Sequence, residues 1–276
     1  FYNMLTSKDS ALPGQPVDVV CANVVELETN ESVFAPYKTF TYKFADGKTF
    51  TIGLLGLENM NNANWDVSSH YEGCQFGHTD NKEKSYVYEW ETYYSKEMQE
   101  KCDYIIVAMH SGEGRADTYN QENQSAYFAA NTTGVDMVLT GHNHSSNAAT
   151  LKNKDGKEVI VMNGGGSVLA ETVLTLTKGD DGKVTVSATA PVKHELKNAL
   201  DKKVDNPDFV SGNAEYDNLK AAIKPLFERS DAFVNKKIGT VSGEWDSITN
   251  YHLTQSTSYD LVHRAQIWAA CTDNNI

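Results

Sequence analysis

Short apolar runs alternate with polar segments along the chain and define a series of predicted strands and helices. Eight runs rich in β-branched residues predict strands, at residues 17–24, 39–44, 49–55, 103–109, 135–140, 158–162, 169–177 and 184–190. Apolar and aromatic residues recur at helical spacing over 82–101, and a second helix is predicted over 120–130. The order strand, helix, strand over 103–140 is that of a βαβ unit, so we expect an α/β fold in which helices cover a sheet.

Two connections in this part of the chain carry turn signals, and a third is unusually long. The Asp46-Gly47 pair between the second and third runs is a hairpin signal. The acidic residues at 180–181 lie in a short segment with two glycines and are interpreted as turn formers, not as ligands. Residues 59–80 are rich in Asn, Ser and Gly. A loop of about 20 residues inside a compact domain is often functional.

The pattern changes from His194 onwards, where charged helical segments replace the strands. Helices are predicted over 195–203, 214–230 and 256–270, with a strand over 234–241. We therefore predict a first domain, a helical linker and the start of a second domain, at residues 1–192, 193–232 and 233–276.

The charge balance narrows the kinds of partner that the chain can bind. Its 276 residues include 24 Lys and Arg against 37 Asp and Glu, which gives a formal net charge of −13. A nucleic-acid polymer needs a basic face, and no Lys/Arg cluster is present, so no polymer partner is expected. A small anionic substrate stays compatible with this charge, because bound metal ions can reverse the local field. No run approaches the roughly 18 apolar residues of a membrane-spanning helix.

The four cysteines do not form a recognisable motif. None of them belongs to a CxxC pair, which excludes a zinc ribbon or a thioredoxin-type site. Their even number permits disulfides without showing them. Cys21 and Cys102 lie in or beside apolar runs, so we predict that both are buried thiols.

Histidines follow two of the predicted buried strands directly. His110 comes after the run 103–109, and Gly141-His142-Asn143-His144 comes after the run 135–140. Ligands bind at the carboxyl ends of strands in open sheets, and neutral imidazole is the commonest metal-binding side chain. We therefore predict that His110, His142 and His144 lie at one edge of the sheet and bind metal.

The spacing of His142 and His144 favours two adjacent ions. A His-x-His pair in a turn does not easily place both rings on one ion beside a third ring, whereas it can serve two ions. Two metals about 3.5–4 Å apart stabilise the attacking and leaving oxygens of phosphoryl transfer. A structural, hydrogen-bonded role is the alternative for each histidine taken alone. The remaining histidines are predicted to be surface or loop residues: His70, His78, His194, His252 and His263.

At these residues the sequence resembles the calcineurin-like metallophosphoesterases. The upstream context of Gly-His-x-His is similar to the nucleotidase branch, and specifically to the bacterial 2′,3′-cyclic-nucleotide 2′-phosphodiesterase/3′-nucleotidases. The residues that carry this resemblance are Glu122-Asn123, Tyr127, Gly134-Val135-Asp136, Ala22-Asn23-Val24, Phe34-Ala35-Pro36-Tyr37, Ile52-Gly53-Leu54-Leu55-Gly56 and Asn64-Trp65-Asp66. Near the other end, residues 234–243 and 260–266 look like the entry to that family's C-terminal domain.

The resemblance implies a β-sandwich flanked by helices, in an αββα arrangement that is incomplete here. It implies that His110 and His142 bind one divalent ion and His144 the other, with Mn, Zn, Fe, Co and Mg as candidate metals. Gly112 and Asn143 are then expected to contact a nucleotide or cyclic nucleotide substrate. It also implies an extracytoplasmic location, in the periplasm, in the cell wall or secreted.

The earlier motifs of that family, Asp-x-His, Gly-Asp and Gly-Asn-His-Glu, do not precede the run 17–24. We therefore expect the chain to be an internal part of a longer enzyme, with its bridging carboxylate and catalytic histidine upstream of Phe1. Because few ligands remain, we expect weak metal retention and little turnover. Two alternatives stay open: a 5′-nucleotidase or UDP-sugar hydrolase, and a non-catalytic surface or binding module with a degenerate metal site.

Overall fold

The computed structural model describes residues 18–166, 168–195, 214–237, 239–240 and 257–273. The chain divides into two units, Phe1–Val204 and Asp205–Ile276. The predicted domain limits at 192 and 232 stay a prediction.

A six-stranded mixed sheet forms the centre of the first unit, with strand order β2-β3-β5-β6-β8-β7. Strands β3, β5, β6 and β8 run parallel, and β2 and β7 pair antiparallel at the two edges. Three further antiparallel pairs join β1 to β4, β9 to β12 and β10 to β11. The strand bounds are β1 Val24–Glu26, β2 Tyr37–Lys43, β3 Thr49–Leu57, β4 Cys74–Phe76, β5 Tyr104–Met109, β6 Met137–Leu139, β7 Asn147–Lys152, β8 Glu158–Asn163, β9 Val168–Glu171, β10 Leu174–Lys178, β11 Val184–Ala188 and β12 Val192–Glu195.

Helices pack on one face of this sheet. They are α1 (Tyr86–Glu89), a π-helical turn (Trp90–Tyr94), α2 (Ser95–Lys101) and α3 (Ser125–Asn131). The Ser85 hydroxyl caps α1 by accepting a hydrogen bond from the Tyr88 N–H. Large helix side chains and apolar strand side chains form one buried cluster, which includes Trp90, Phe128, Leu55, Val107 and Val138.

The opposite face of the sheet is covered by the β10–β11 hairpin. Leu174, Leu176, Val184 and Val186 of the hairpin pack against a second buried cluster, Phe50, Tyr104, Met137 and Ile160. The unit is therefore layered as helices, sheet and hairpin, which confirms the predicted α/β class. The predicted unit of strand 103–109, helix 120–130 and strand 135–140 is present as β5–α3–β6, with β5 and β6 parallel.

Two of the eight strand predictions need correction in the first unit: the run 17–24, and the run 169–177, which forms two strands, β9 and β10, that belong to different pairs. Within the run 17–24, residues 18–23 pair only through an isolated bridge from Val20 to Ala35, and Val24 is the first residue of β1. The segment passes close to Gly56, where a Cβ would lie 2.1 Å from the Val20 carbonyl oxygen. It is therefore held against the end of β3 and does not extend the sheet. The apolar pattern does not predict strands β4, β7 and β12, of which β7 forms the edge of the central sheet opposite β2.

The second unit contains two described helices, α4 (Ala214–Val234) and α5 (Thr257–Asp273). Both helix predictions in this region are confirmed, while almost all of the predicted helix over 195–203 lies outside the described residues. The predicted strand over 234–241 is wrong in its described part, because Val234 ends α4 and no strand follows in 235–237 or 239–240. None of the described helices is both long and apolar enough to cross a membrane.

Candidate metal centre

The candidate site lies where three neighbouring parallel strands end. Leu57 at the end of β3 pairs with Met109 at the end of β5, and Ala108 of β5 pairs with Leu139 of β6. His110 is the first residue after β5, and its N–H donates to the Leu57 carbonyl at 2.8 Å. His142 follows the end of β6 by three residues. The parallel register therefore brings both histidines to the end of the sheet where the central strands have their carboxyl termini, as the strand order predicts.

His110 and His142 face each other through ring nitrogens. Nε2 of His110 lies 3.3 Å from Nδ1 of His142, and the rings meet edge to face with centroids 5.1 Å apart. Two nitrogens that each lie about 2.0–2.1 Å from a tetrahedral zinc ion are separated by about 3.3–3.4 Å. The spacing of this nitrogen pair therefore fits a shared divalent ion, and two imidazoles are suitable donors for one.

The backbone holds His142 in an uncommon conformation. Its φ angle is +69°, in the left-handed region that few residues other than glycine adopt. Such a conformation persists where surrounding contacts fix it, and it is common at functional sites. His144 also has a positive φ, of +55°. Both histidines of the Gly-His-x-His segment thus have left-handed backbone conformations.

Two further side chains fix the ring of His142. Its Nε2 lies 2.7 Å from a carboxylate oxygen of Glu122, and its face stacks on Trp65, with centroids 5.0 Å apart and planes 14° apart. The His142 side chain is only 18% exposed. The ring therefore has a partner on each nitrogen and a flat aromatic surface against one face.

Asn59, just beyond β3, ties two of these loops together. Its side-chain amide donates to the His110 carbonyl at 2.9 Å and to the Glu122 carbonyl at 3.2 Å, and the residue is fully buried. Its side-chain oxygen accepts from the Asn61 N–H at 3.0 Å. Asn59 thereby fixes the backbone positions of His110 and Glu122 relative to each other, and these two residues contact the two ring nitrogens of His142.

Ser111, also fully buried, makes the remaining connections. Its hydroxyl donates to the Glu122 carbonyl at 2.9 Å and accepts from the Gln124 N–H at 2.8 Å. Its own carbonyl accepts from the Thr140 hydroxyl at 2.5 Å and from the Gly141 N–H at 3.1 Å. One serine thus links the loops that carry His110, Glu122 and His142.

The third predicted ligand, His144, is exposed two residues beyond His142. Among the residues that the structure describes, no three His, Cys, Asp or Glu side chains come together as a group that could hold a metal ion. The structure therefore joins two of the three histidines, and His144 stays a predicted ligand of a second ion.

Gly112 and Asn143, the predicted substrate contacts, lie close together. A Cβ on Gly112 would lie 2.0 Å from Oδ1 of Asn123 and 3.0 Å from Nδ2 of Asn143. Oδ1 of Asn123 is buried, and no hydrogen-bond partner reaches it from the described residues. Beside these amides is an open cavity of about 370 Å³, whose lining includes Arg115. The Asn123 oxygen lies against Gly112 and, because it is buried, is not exposed to the cavity.

Of the histidines predicted to be surface or loop residues, His78 lies in a loop but not at the surface. It is buried rather than exposed, and its Nδ1 lies 2.5 Å from Oε2 of Glu89, which is fully buried. His70 is exposed, as predicted, and pairs with Asp66 at 2.6 Å. His252 lies outside the described residues. The segment 59–80 is thus a folded element with a buried polar core, and not a simple surface loop.

Burial also changes the pKa of two weakly acidic side chains, the Cys21 thiol and the Tyr86 phenol. It raises the pKa of the Cys21 thiol to about 11 and lifts the pKa of the Tyr86 phenol above its ordinary value. The Tyr86 hydroxyl donates to the Glu58 carbonyl at 3.1 Å, directly before Asn59. Both groups are therefore neutral near pH 7 and act as structural supports.

The sequence alone did not assign roles to the residues that surround His142. Glu122 and Trp65 counted only toward the family resemblance, and neither Asn59 nor Ser111 was singled out for its contacts. The one available signal was position, because Asn59 and Ser111 each follow an apolar strand by two residues. Their hydrogen-bond partners could not be read from that position.

Comparison with known proteins supports the resemblance. No protein-family model matches the chain. It is similar to the 2′,3′-cyclic-nucleotide 2′-phosphodiesterase/3′-nucleotidase of Salmonella typhimurium, with 26% identity over 246 residues that cover 83% of this chain and 36% of that protein. It is also similar to the enzyme of that name from Yersinia enterocolitica, with 24% identity over 272 residues that cover 93% and 39%. The chain therefore spans a little over a third of the length of these relatives.

Solved structures share the fold of this chain. The calcineurin-like phosphoesterase YfkN from Bacillus subtilis aligns with a TM-score of 0.60 and 20% identity, over 81% of this chain and 65% of that one. The NAD nucleotidase of Haemophilus influenzae aligns with a TM-score of 0.53 and 18% identity, over 81% and 48%. The predicted resemblance to the nucleotidase branch of the calcineurin-like metallophosphoesterases is confirmed by these findings together.

Proposed function

We propose that this chain carries part of the metal-binding edge of a phosphoesterase that uses two divalent metal ions and hydrolyses nucleotide phosphate esters. The observation that supports it most is the pair of imidazole nitrogens 3.3 Å apart at the carboxyl ends of β5 and β6. The named relatives point to 2′,3′-cyclic nucleotides and 3′-nucleotides as the substrate class.

The roles of the residues follow from this geometry. His110 and His142 would hold one ion, and His144 would contribute to a second. Divalent ions at such a site neutralise phosphate charge and make bound water a nucleophile at neutral pH. That positive charge is needed because the chain itself has a net charge of −13. Imidazole donors suit several metals, so Mn, Zn, Fe and Co are all candidates, with Mg the least matched to nitrogen.

Gly112 and Asn143 would contact the substrate. The absence of a side chain at Gly112 leaves room for the amides of Asn123 and Asn143. Asn143, which is exposed and lines the cavity, would then offer its side-chain amide for hydrogen bonds to the substrate. We also propose an extracytoplasmic location, which rests on the family resemblance.

Metal titration and hydrolysis test this proposal together. Mn²⁺ and Zn²⁺ binding are measured by calorimetry on the wild-type chain and on His142→Ala, and hydrolysis of a 2′,3′-cyclic nucleotide is followed with each metal added. We expect weak binding and low turnover in the wild type. Loss of a direct ligand should reduce affinity by more than the roughly 10–100-fold that removal of an outer partner costs.

His70→Ala is the matched control, because His70 is also an imidazole paired with a carboxylate, 2.6 Å from Asp66, but is exposed in the segment 59–80. It should leave metal affinity and turnover at wild-type values. Equal affinity in His142→Ala and wild type would remove His142 as a ligand. A wild type that binds neither metal and hydrolyses nothing would favour the non-catalytic binding module.

A further inference from the structure

The contact between Glu122 and His142 points to a residue whose role the family resemblance does not supply. We infer that Glu122 is a positioning residue that keeps the proton of His142 on Nε2 and so presents the bare Nδ1 to His110. The consequence for metal affinity rests on the proposed function, whereas the position of the proton does not.

The chemistry of the three groups determines where the proton lies. A carboxylate can only accept a hydrogen bond, so the nitrogen 2.7 Å from Glu122 must donate. A neutral imidazole carries one N–H, and with that proton on Nε2 the lone pair is on Nδ1. Nδ1 is the nitrogen that lies 3.3 Å from His110. The lone pair needed to bind a metal therefore points at the other proposed ligand.

The backbone of Glu122 is held more firmly than an exposed loop would be. Its carbonyl accepts from both Asn59 and Ser111, and its N–H donates to Oδ1 of Asn120 at 3.0 Å. The carboxylate is 44% exposed, so water competes for the contact. Fixing the backbone reduces the entropy lost when the side chain meets the ring, which is how an outer partner becomes effective.

Stacking on Trp65 does not determine which nitrogen of His142 carries the proton, whereas the contact with Glu122 does. The indole stacks on the face of the His142 ring, and stacking is indifferent to which nitrogen carries the proton. It restrains the plane of the ring but selects neither tautomer. The Glu122 carboxylate beside Nε2 is what favours the tautomer with the proton on that nitrogen.

The test combines nitrogen NMR of the metal-free chain with metal titration. Long-range proton–nitrogen spectra of histidine-labelled protein, assigned with His142→Ala, should show the His142 proton on Nε2 with slow exchange against solvent. Glu122→Ala should lose that slowly exchanging resonance and bind Zn²⁺ and Mn²⁺ about 10–100-fold more weakly than wild type. Glu122→Gln, whose side-chain oxygen can accept the same proton, should restore the resonance and most of the affinity.

Glu91→Ala is the matched control, because the Glu91 carboxylate is 35% exposed and accepts from Lys154 at the same 2.7 Å. It should change neither readout. A wild-type proton on Nδ1, or Glu122→Ala with unchanged spectrum and affinity, would overturn the inference. If the wild type shows the Nε2 proton and its loss in Glu122→Ala but binds no metal, the positioning role stands and the proposed function fails.

Discussion

The indole of Trp65 lies almost parallel to the imidazole of His142, with ring centroids 5.0 Å apart and an angle of 14° between the planes. A positive charge over the face of a tryptophan within about 6 Å is stabilised by roughly 0.5–1 kcal/mol at exposed sites. Trp65 is 50% exposed, so this range applies to it. If His142 binds a divalent ion, as proposed, its ring would gain positive character and its attraction to the indole would increase.

Replacing Trp65 should therefore weaken metal binding without abolishing it. Trp65→Leu is expected to reduce Zn²⁺ affinity by about two- to fivefold, which corresponds to 0.5–1 kcal/mol. Calorimetric titration measures the change, and Trp268→Leu is the control because Trp268 is an exposed tryptophan on α5, in the other unit. Unchanged affinity in Trp65→Leu would mean that the stack contributes nothing to the bound state.

Ser111→Ala tests the connection between the loops. The substitution removes a donor to the Glu122 carbonyl and an acceptor for the Gln124 N–H, both at a fully buried position. A buried group left without its partner costs about 1–3 kcal/mol, so the free energy of unfolding should fall by that amount. Urea denaturation with an unchanged m value measures the loss. Exposed Ser68→Ala should stay within about 0.5 kcal/mol of wild type.

The centre of the sheet was predictable because parallel strands are buried on both faces. The segments of β5 and β6 read as continuous apolar runs, and the helix between them completes the unit. Edge strand β7 was missed because only half of its pattern is apolar. The local composition predicts a strand over 17–24, whereas contacts with Ala35 and Gly56 decide the path of this segment. Contacts between segments that are distant in sequence cannot be predicted from the local pattern of apolar and polar residues.

The candidate site was predictable in part for a similar reason. His110 and His142 were recognisable because each follows an apolar strand, and strand ends meet at one edge of a parallel sheet. The Glu122 and Trp65 partners of His142 depend on how two loops fold over the sheet edge. The sequence predicts His78 at the surface or in a loop, because the local pattern does not identify its partner Glu89 on the first helix, 11 residues later. The sequence alone does not show whether a polar side chain faces solvent or a buried partner.

The buried Glu89 carboxylate is predicted to hold the segment 59–80 against the helices. It accepts from the His78 N–H at 2.8 Å and from the Asn81 side chain at 2.8 Å, and it pairs with the His78 ring. Glu89→Ala leaves these donors buried without an acceptor, and each such donor costs about 1–3 kcal/mol. Glu89→Gln keeps an acceptor oxygen and should lose less.

Urea denaturation of Glu89→Ala and Glu89→Gln measures how much unfolding free energy each variant loses, with Glu91→Ala as the control. Glu91 pairs with Lys154 at the surface, and exposed ion pairs contribute about 0–1 kcal/mol. A Glu89→Ala variant as stable as Glu91→Ala would show that the His78 cluster is not a folding element of this segment.

Cys21 is predicted to be the slowest of the four thiols to react. All four are free, and Cys271 is exposed, whereas burial raises the pKa of Cys21 from 9.0 to about 11. Only the thiolate attacks a disulfide reagent, so at pH 8 Cys271 should react first and Cys21 only after unfolding in urea.

The folded state holds the Cys21 proton above pH 9, so this contribution to stability is complete below pH 9 and is lost as pH rises through about 11. Cys21→Ser should therefore show a smaller fall in denaturation midpoint between pH 8 and pH 10 than wild type. Equal falls would show that Cys21 is already accessible to solvent in the folded chain.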